Sequence, residues 1–281
     1  MPAPKRTHYF HADASALGGY LQAPVKQTVP LFAPLSLAPA GGYGSANAPG
    51  YRLEGVLSFE AAYAQVSGVL SEKEGRGWVT LVSSVVEGLN VLDVVTADRV
   101  VAQISTEHPL VGNDPAVTFL GTQFVNLKIA GHPVNPILDL NICDQPNGDN
   151  GYPDGPCVAD KGFLARVEEQ YCQVTNPQSL PQWVKDKSIP DWLEARYRWK
   201  NAQAGRSSIL CSIVKATSGE FPGTPFGHVL DVPDFGRVYL GQLIVDCRSF
   251  RLMMIHLELG CIAQGQVDFG NCVANGGTIP P

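Results

Sequence analysis

The chain has 281 residues, among them 29 glycines and 22 prolines, with 44% apolar and only 16% charged residues. That composition excludes a coiled coil, a disordered acidic chain and a charge-rich helical bundle. A formal charge of −6 leaves no basic footprint, so nucleic acid is not an expected partner.

No apolar run approaches the ~20 residues needed to span a bilayer as a helix. The first residues, Met1-Pro-Ala-Pro-Lys-Arg-Thr-His8, carry two bases with no apolar run behind them and do not read as a secretory leader. Residues 7–60 follow as short apolar pieces punctuated by Pro and Gly, such as Val29-Pro-Leu-Phe-Ala-Pro-Leu-Ser-Leu-Ala-Pro39. Prolines at that spacing forbid a helix or a central strand and leave edge strands and turns. Residues 61–75 read better as a strand pair than as a helix because of Gly68. From Gly77 to Pro133 the β signal is strong, in Trp78–Val86, Val91–Ser105 and Thr118–His132. A second β signal runs from Gly236 to Phe269. Many short strands with regular turn signals predict an all-β fold, an antiparallel sandwich or barrel-like sheet. The chain is expected to form one domain, 1–281, with β blocks at 7–139 and 206–273. Residues 140–205 are expected to be a loop and helix insertion, too short and loop-rich to hold a core of its own. Within it, Pro190–Ala202 opens with Pro and acids and closes with bases, the polarity that suits a helix dipole.

Seven cysteines allow three local pairings: Cys143 with Cys157 across a Gly/Pro/Asn/Asp loop, Cys172 with Cys211, and Cys261 with Cys272 across a hairpin, leaving Cys247. Buried free thiols acting as small hydrophobes are the alternative. The feature most like a ligand site is the acidic loop Asp144, Asn147, Asp149, Asn150 and Asp154, since hard oxygen donors on a Gly-rich loop suit Ca²⁺. Its spacing is not that of an EF-hand, and the same residue types build ordinary turns. Trp183, Trp192, Tyr197 and Trp199 offer either a glycan-stacking or subunit contact or, with Trp192 and Trp199 seven apart, a stripe that docks a helix onto the sheet. His8 and His11 lie close enough in sequence to chelate a metal near the terminus; His108, His132 and His228 sit beside Pro or Gly, and His256 lies within a strand. Gly-x-Ser-x-Gly, P-loop and His-Glu-x-x-His motifs are absent, so no catalytic residue stands out.

Four pieces in the same order resemble the bacterial choice-of-anchor P family: Ala14–Leu21, Val86–Ala102, Phe124–Val134, and Gly236–Gln242 with Met254–Leu259. The resemblance spans most of the chain outside 140–205. It implies an exported, all-β surface protein with no established enzymology. The last residues, Asn275–Pro281, match no anchor signal. A non-enzymatic structural or adhesive β protein at the bacterial surface or outside the cell is therefore expected, self-associating as a homo-oligomer or polymer, with a cytoplasmic place as the alternative. The apolar arm at residues 20–40 would pair with an open sheet edge, in its own subunit or a neighbour's. The competing expectations are a glycan- or Ca²⁺-binding module and a hydrolase with a dispersed Asp/Glu site.

Overall fold

The computed structural model of the protein describes residues 7–24, 26–53, 55–73, 76–112, 114–147, 151–154, 156–184, 188–197, 208–247 and 249–279. The first block forms β1 (Thr7–Ala23), β2 (Gln27–Phe32), β3 (Leu35–Ser36), β4 (Gly42–Leu53), β5 (Leu57–Leu70), β6 (Trp78–Val91) and β7 (Val95–His108). The short strands β8 (Ala116–Thr118), β9 (Gln123–Val125), β10 (Lys128–Ile129), β11 (His132–Pro133) and β12 (Asn135–Leu138) follow. After the helices α1 (Lys161–Val174) and α2 (Asp191–Tyr197) come β13 (Ser208–Ser212), β14 (Val214–Ser218), β15 (Thr224–Phe226), β16 (Val229–Val232), β17 (Gly236–Asp246), β18 (Ser249–Gly260) and β19 (Gln264–Ile279).

Two open antiparallel sheets face each other, as expected for a sandwich. One has the order β15-β16-β17-β18-β19-β1-β2, with β13 also on β17 and β3 also on β1. The other has the order β11-β10-β7-β6-β5-β4, with β8 and β9 also on β7, and β12 and β14 form a separate pair. Both β blocks contribute to one interior: Cys272 on β19 reaches the Ala102 carbonyl on β7 through its Sγ at 3.5 Å. The helices lie on the outer face of the first sheet, making a third layer. Gln170 on α1 holds β13 with both ends of its amide, donating to the Ser212 carbonyl and accepting from the Ser212 N–H, each at 2.9 Å. Tyr171 donates its hydroxyl to the Leu210 carbonyl.

Strict alternation does not run the length of these strands. On β18 the buried positions are even at Leu252 and Met254 and odd at Leu257 and Leu259. On β19 they are odd at Val267 and Phe269 and even at Cys272 and Ala274, and on β1 even from Phe10 to Ala16 and odd at Leu17 and Leu21. The strand register is the same on both sides of the change, as in Leu240↔Ile255 and Gln242↔Met253. The cause is a line of kinks at Gly241 (φ +59) and Gly270 (φ +65), which interrupt the pleat so that side chains beyond them swap faces. A Cβ on Gly270 would lie 3.1 Å from Met254 Cβ and 3.5 Å from Ala102 Cβ, so the kink also lets the sheets approach closely. The facing sheet switches parity likewise near Gly88, from Val82 and Val86 to Leu89 and Val91.

Several sequence expectations need correction. The N-terminal stretch is not only edge strand: β1 is central, between β19 and β2. Of the two places expected for the arm at residues 20–40, the structure shows the one within its own chain, where β2 and β3 pair with β1. The insertion holds a longer helix than expected, α1, capped by Asp160, whose carboxylate accepts the Phe163 N–H at 2.9 Å. The expected helix near Pro190 is the short α2. All seven cysteines are free thiols, so the three pairings are not formed. Cys143 and Cys157 are neighbours, and the Cys157 thiol lies 3.8 Å from the Cys143 carbonyl. Their hydrogen bond, and then burial, hold the Cys143 thiol well above its usual pKa, as burial does for Cys211. Cys211 faces Cys157 rather than Cys172 on α1. Cys261 sits in the β18–β19 turn, with its thiol on the Ala263 carbonyl at 3.3 Å, while Cys272 lies well along β19 against β7.

Replacing Gly270 by Ala is expected to lower stability by about 2 kcal/mol, because the left-handed backbone and the Met254 contact both resist a Cβ. Gly277→Ala, with nothing within 4 Å of its Cβ position, is expected to change stability by less than about 0.5 kcal/mol. Urea unfolding of both variants checks the pair.

Candidate functional site

The kink line sorts the polar residues of β17, β18 and β19. On one side of it, Val238 and Leu240 face the interior while Arg237 and Tyr239 face the helices, and His256, Glu258 and Asp268 take the same outer face. Strand register then sets them in two rows, Tyr239–His256–Asp268 and Asp231–Arg237–Glu258–Gln266. Helix α2 adds Trp192 and Arg196 from above. In a chain with few charges this concentration is the strongest candidate site.

Glu258 is its hub. Its Oε2 accepts from the Tyr239 hydroxyl at 2.8 Å and from Arg237 Nη1 at 3.1 Å. Its Oε1 lies 3.5 Å from Arg196 Nη1 and 3.8 Å from His256 Nε2. The other ring nitrogen of His256, Nδ1, is 2.5 Å from Asp268 Oδ1. The two arginines also lie over aromatic rings: Arg196 Cζ is 4.1 Å from the Tyr239 ring centre and Arg237 Cζ 3.8 Å from the Trp192 ring centre. Burial acts to lower the pKa of His256, but hydrogen bonds to Asp268 and Glu258 outweigh it and raise it to about 9. The hydrogen bond from His256 lowers Glu258 to about 2 against the opposing effect of burial, with help from Tyr239 and Arg237. Deeper under α2, the Tyr197 hydroxyl and His228 Nε2 are 2.7 Å apart, and burial followed by the Arg196 charge lowers His228 to about 3. His256 is thus a cation and His228 a neutral ring at neutral pH.

The Glu258 carboxylate is satisfied within the chain, whereas the buried Nε of Arg196 and Nδ1 of His228 have no hydrogen-bond partner among the described residues. Both Glu258 oxygens are occupied by donors of the chain itself, and the ligands of the hub come from two layers, so the arrangement fastens α2 to the sheet. A cleft of about 390 Å³ lined by Asp231, Arg237 and Glu258 opens beside it. A linear reading does not assemble this cluster, because cross-strand partners are adjacent only once the register is known. The spacing of two in Arg237/Tyr239 and His256/Glu258 was the sole trace of it.

Of the residues singled out in the sequence, Trp192, Tyr197, His228 and His256 belong to or border this cluster, and the other described ones lie elsewhere. Trp192 packs on Arg237 and, edge-on at 6.5 Å, on Phe226, and Trp183 packs edge-on to Phe221 at 5.8 Å. Both serve docking of the insertion, and Trp199 lies outside the described residues. In the acidic loop, Asp154 is taken by Lys161, with Oδ1 3.0 Å from Nζ, and Asp144 lies 3.6 Å from Arg166 Nη1. Asn147 bonds through its own N–H to the Gly151 carbonyl at 2.7 Å, while Asp149 and Asn150 lie outside the described residues. Among the described residues no group of three or more His, Cys, Asp or Glu side chains is arranged to hold a metal ion. His8 and His11 do not meet: His8 is buried and His11 is exposed, 3.2 Å from Asp13.

The pH signs of the hub are opposed. Glu258, lowered from 4.5 to about 2, contributes stability above pH 4.5 that is lost as pH falls toward 2. His256, raised from 6.5 to about 9, contributes stability below pH 6.5 that is lost as pH rises to 9. Glu258→Gln is expected to cost about 2 kcal/mol, and the gap in urea midpoint from the parent should be widest between pH 4.5 and 6.5.

No curated protein and no solved structure matches the chain. A family model described as "Domain of unknown function (DUF8256)" matches residues 8–246. That match takes in β1, the whole β4–β7 sheet, the helical insertion and β17, and the chain therefore belongs to the DUF8256 family.

Proposed function

We propose that the protein is a non-enzymatic structural β module of a bacterial surface or extracellular layer, which joins to a second copy of itself edge to edge through β4. The observation that carries this reading is the edge that β4 leaves open. The other sheet edges are short or interrupted by proline: β2 contains Pro30, β15 Pro225 and β11 Pro133, and β3 has two residues. β4 runs twelve residues along β5, and among the described residues no strand pairs with its other side. Its first part, Gly42-Tyr-Gly-Ser-Ala-Asn-Ala48, has neither a charge nor a proline, the two devices that usually keep an edge from recruiting another strand. Tyr43 is 70% exposed beside it.

The interior beneath this edge is already sealed by Phe32, Tyr51 and Phe59, whose rings lie 4.6 to 6.1 Å apart. What remains unsatisfied is therefore backbone hydrogen bonding, which a second β4 running antiparallel about a two-fold axis supplies. The resemblance to the choice-of-anchor P family supports a surface or extracellular place. The Glu258 carboxylate, taken up by donors of its own chain, supports a structural role for the most polar part of the fold.

At about 100 µM, where a micromolar contact is saturated, light scattering is expected to give twice the chain mass. The double variant Ser45→Lys/Asn47→Lys places charges on two exposed edge positions and should give a single-chain mass with unchanged circular dichroism and Tm. A single-chain mass for the parent protein at that concentration, or a variant that still pairs, rejects the reading.

A further inference from the structure

The outward face of the sheet built from β4 to β7 carries one straight polar row. Strand register sets Arg52 on β4 opposite Ser58 on β5, Ser58 opposite Asn90 on β6, Asn90 opposite Thr96 on β7, and Thr96 opposite Lys128 on β10. Directly opposed residues of an antiparallel sheet share a face, with Cβ atoms about 4.5–5.5 Å apart. The five side chains therefore form a line about 19 Å long across five strands. Arg52 and Lys128 at its ends are exposed, and Ser58, Asn90 and Thr96 between them are half-buried. Their chain neighbours Leu57, Phe59, Leu89 and Val91 point into the core, which fixes the row on the outside.

Two residues further along the strands this face is cut into a trough. Gly50 on β4 and Gly88 on β6 contribute no side chain there, and a cleft of about 440 Å³ opens between Arg52, Ser58, Glu60 and Asn90. The Glu60 side chain lies across Gly88, where a Cβ would overlap its Cγ. On β7, Asp98 takes the matching outward position, its Oδ2 accepting from Asn126 Nδ2 at 2.6 Å. Asn90 is held by the β6–β7 turn: its Nδ2 donates to Asp93 Oδ1 at 2.7 Å, and its Oδ1 accepts from the Asp93 N–H at 2.9 Å. Beyond the kink at Gly88 the same face continues as Tyr63, Val85 and Val101, an apolar strip in one register line.

We propose that this trough binds a neutral polysaccharide chain laid across strands β4 to β7. Sugar hydroxyls both donate and accept, and neighbouring ones are met best by groups that offer two sites side by side, a carboxylate, an amide or a guanidinium. The trough sets such groups next to one another, with donors from Arg52, Asn90 and Lys128 and acceptors from Glu60, Asp98 and Asn90. Ser58 and Thr96, like the ligand, do both. An amide has two N–H groups and two lone pairs, and a carboxylate two oxygens, so the bonds to Asp93 and Asn126 position Asn90 and Asp98 without exhausting them. Side chains fixed in advance in this way lose little freedom on binding. Two cations, Arg52 and Lys128, are matched by two carboxylates, Glu60 and Asp98, so these four charges cancel and select neither a polyanion nor a polycation. Tyr63, Val85 and Val101 supply the apolar surface on which the C–H face of a sugar ring packs. The site uses none of residues 42–48 and is independent of pairing through β4.

Affinity gel electrophoresis of the full chain against three neutral polysaccharides, a β-glucan, a mannan and a galactan, with acidic polygalacturonate alongside, tests the site. Retardation by at least one neutral polymer is expected, and it should persist in about 0.5 M salt, because contacts to uncharged hydroxyls are little screened. Arg52→Ala/Glu60→Ala removes two exposed trough side chains and is expected to weaken that binding about tenfold or more with Tm unchanged. Ser45→Lys/Asn47→Lys is expected to bind as the parent does, so a failure of the trough and a failure of β4 pairing are read separately. No retardation by any neutral polymer, retardation by polygalacturonate alone, or full binding by the Arg52/Glu60 variant overturns the proposal. Should that variant not fold, amide NMR shifts of the parent protein with oligosaccharides of the retarding polymer decide. Shifts centred on residues 50–60 and 88–98 support the trough, and shifts centred elsewhere overturn it.

Discussion

β1 lies between β19 and β2, so one antiparallel ladder between segments up to 272 residues apart (Thr7↔Ile279) closes the middle of the nine-stranded sheet. Bringing such distant segments together costs loop entropy, although that cost grows only slowly with length, by about 0.6 kcal/mol per doubling. The return comes from burial: Phe10, Leu17 and Leu21 on one strand and Val267, Phe269 and Cys272 on the other enter the common interior. Each large apolar side chain so buried contributes about 1.5–3 kcal/mol. The rest follows from this ladder. It carries Gly270, which lets the sheets touch at Ala102, and it carries Asp268, which orients His256.

The charged hub around Glu258 shows how a chain with few charges spends them. An exposed ion pair contributes little, because water and salt screen it and ordering long side chains costs entropy. Here two arginines lie over aromatic rings and share one partly buried carboxylate, so contact with the rings helps order their side chains before the ion pairs are counted. The hub joins an insertion to a sheet, and its opposed pKa shifts make that joint strongest in mildly acidic solution. His228, neutral beneath the same helix, shows that burial without a carboxylate partner moves a histidine in the other direction.

Much of the architecture was legible in the residues. Branched and aromatic runs at 77–133 and 236–269 announced the two β blocks, and the change in character after residue 140 announced the insertion. Three things were not legible. The parity switches depend on single glycines entering left-handed backbone, which leaves in the sequence only doubled apolar residues such as Val85-Val86 and Val100-Val101. The Glu258 hub depends on register among three strands. The central place of β1 depends on its partner at the far end of the chain. Helix α1, by contrast, had a cue: Phe163, Val167, Gln170, Tyr171 and Val174 keep helical spacing behind the Asp160 cap, and the surrounding Gly, Pro and Asn masked it. The tryptophans and acidic residues that looked ligand-like are occupied by neighbours of their own chain wherever the structure describes them.

The ladder between β1 and β19 also sets an order of events during synthesis. Strands β4 to β7 leave the ribosome consecutively, and each pairs with the strand just made, so the eight-stranded sheet assembles as it emerges. β1 is made before all of them and can find only β2 and β3 until translation reaches β19. For that interval its other backbone edge is bare. His11 and Asp13, polar and outward-facing on β1, stand where gatekeeper residues protect a nascent chain from aggregation.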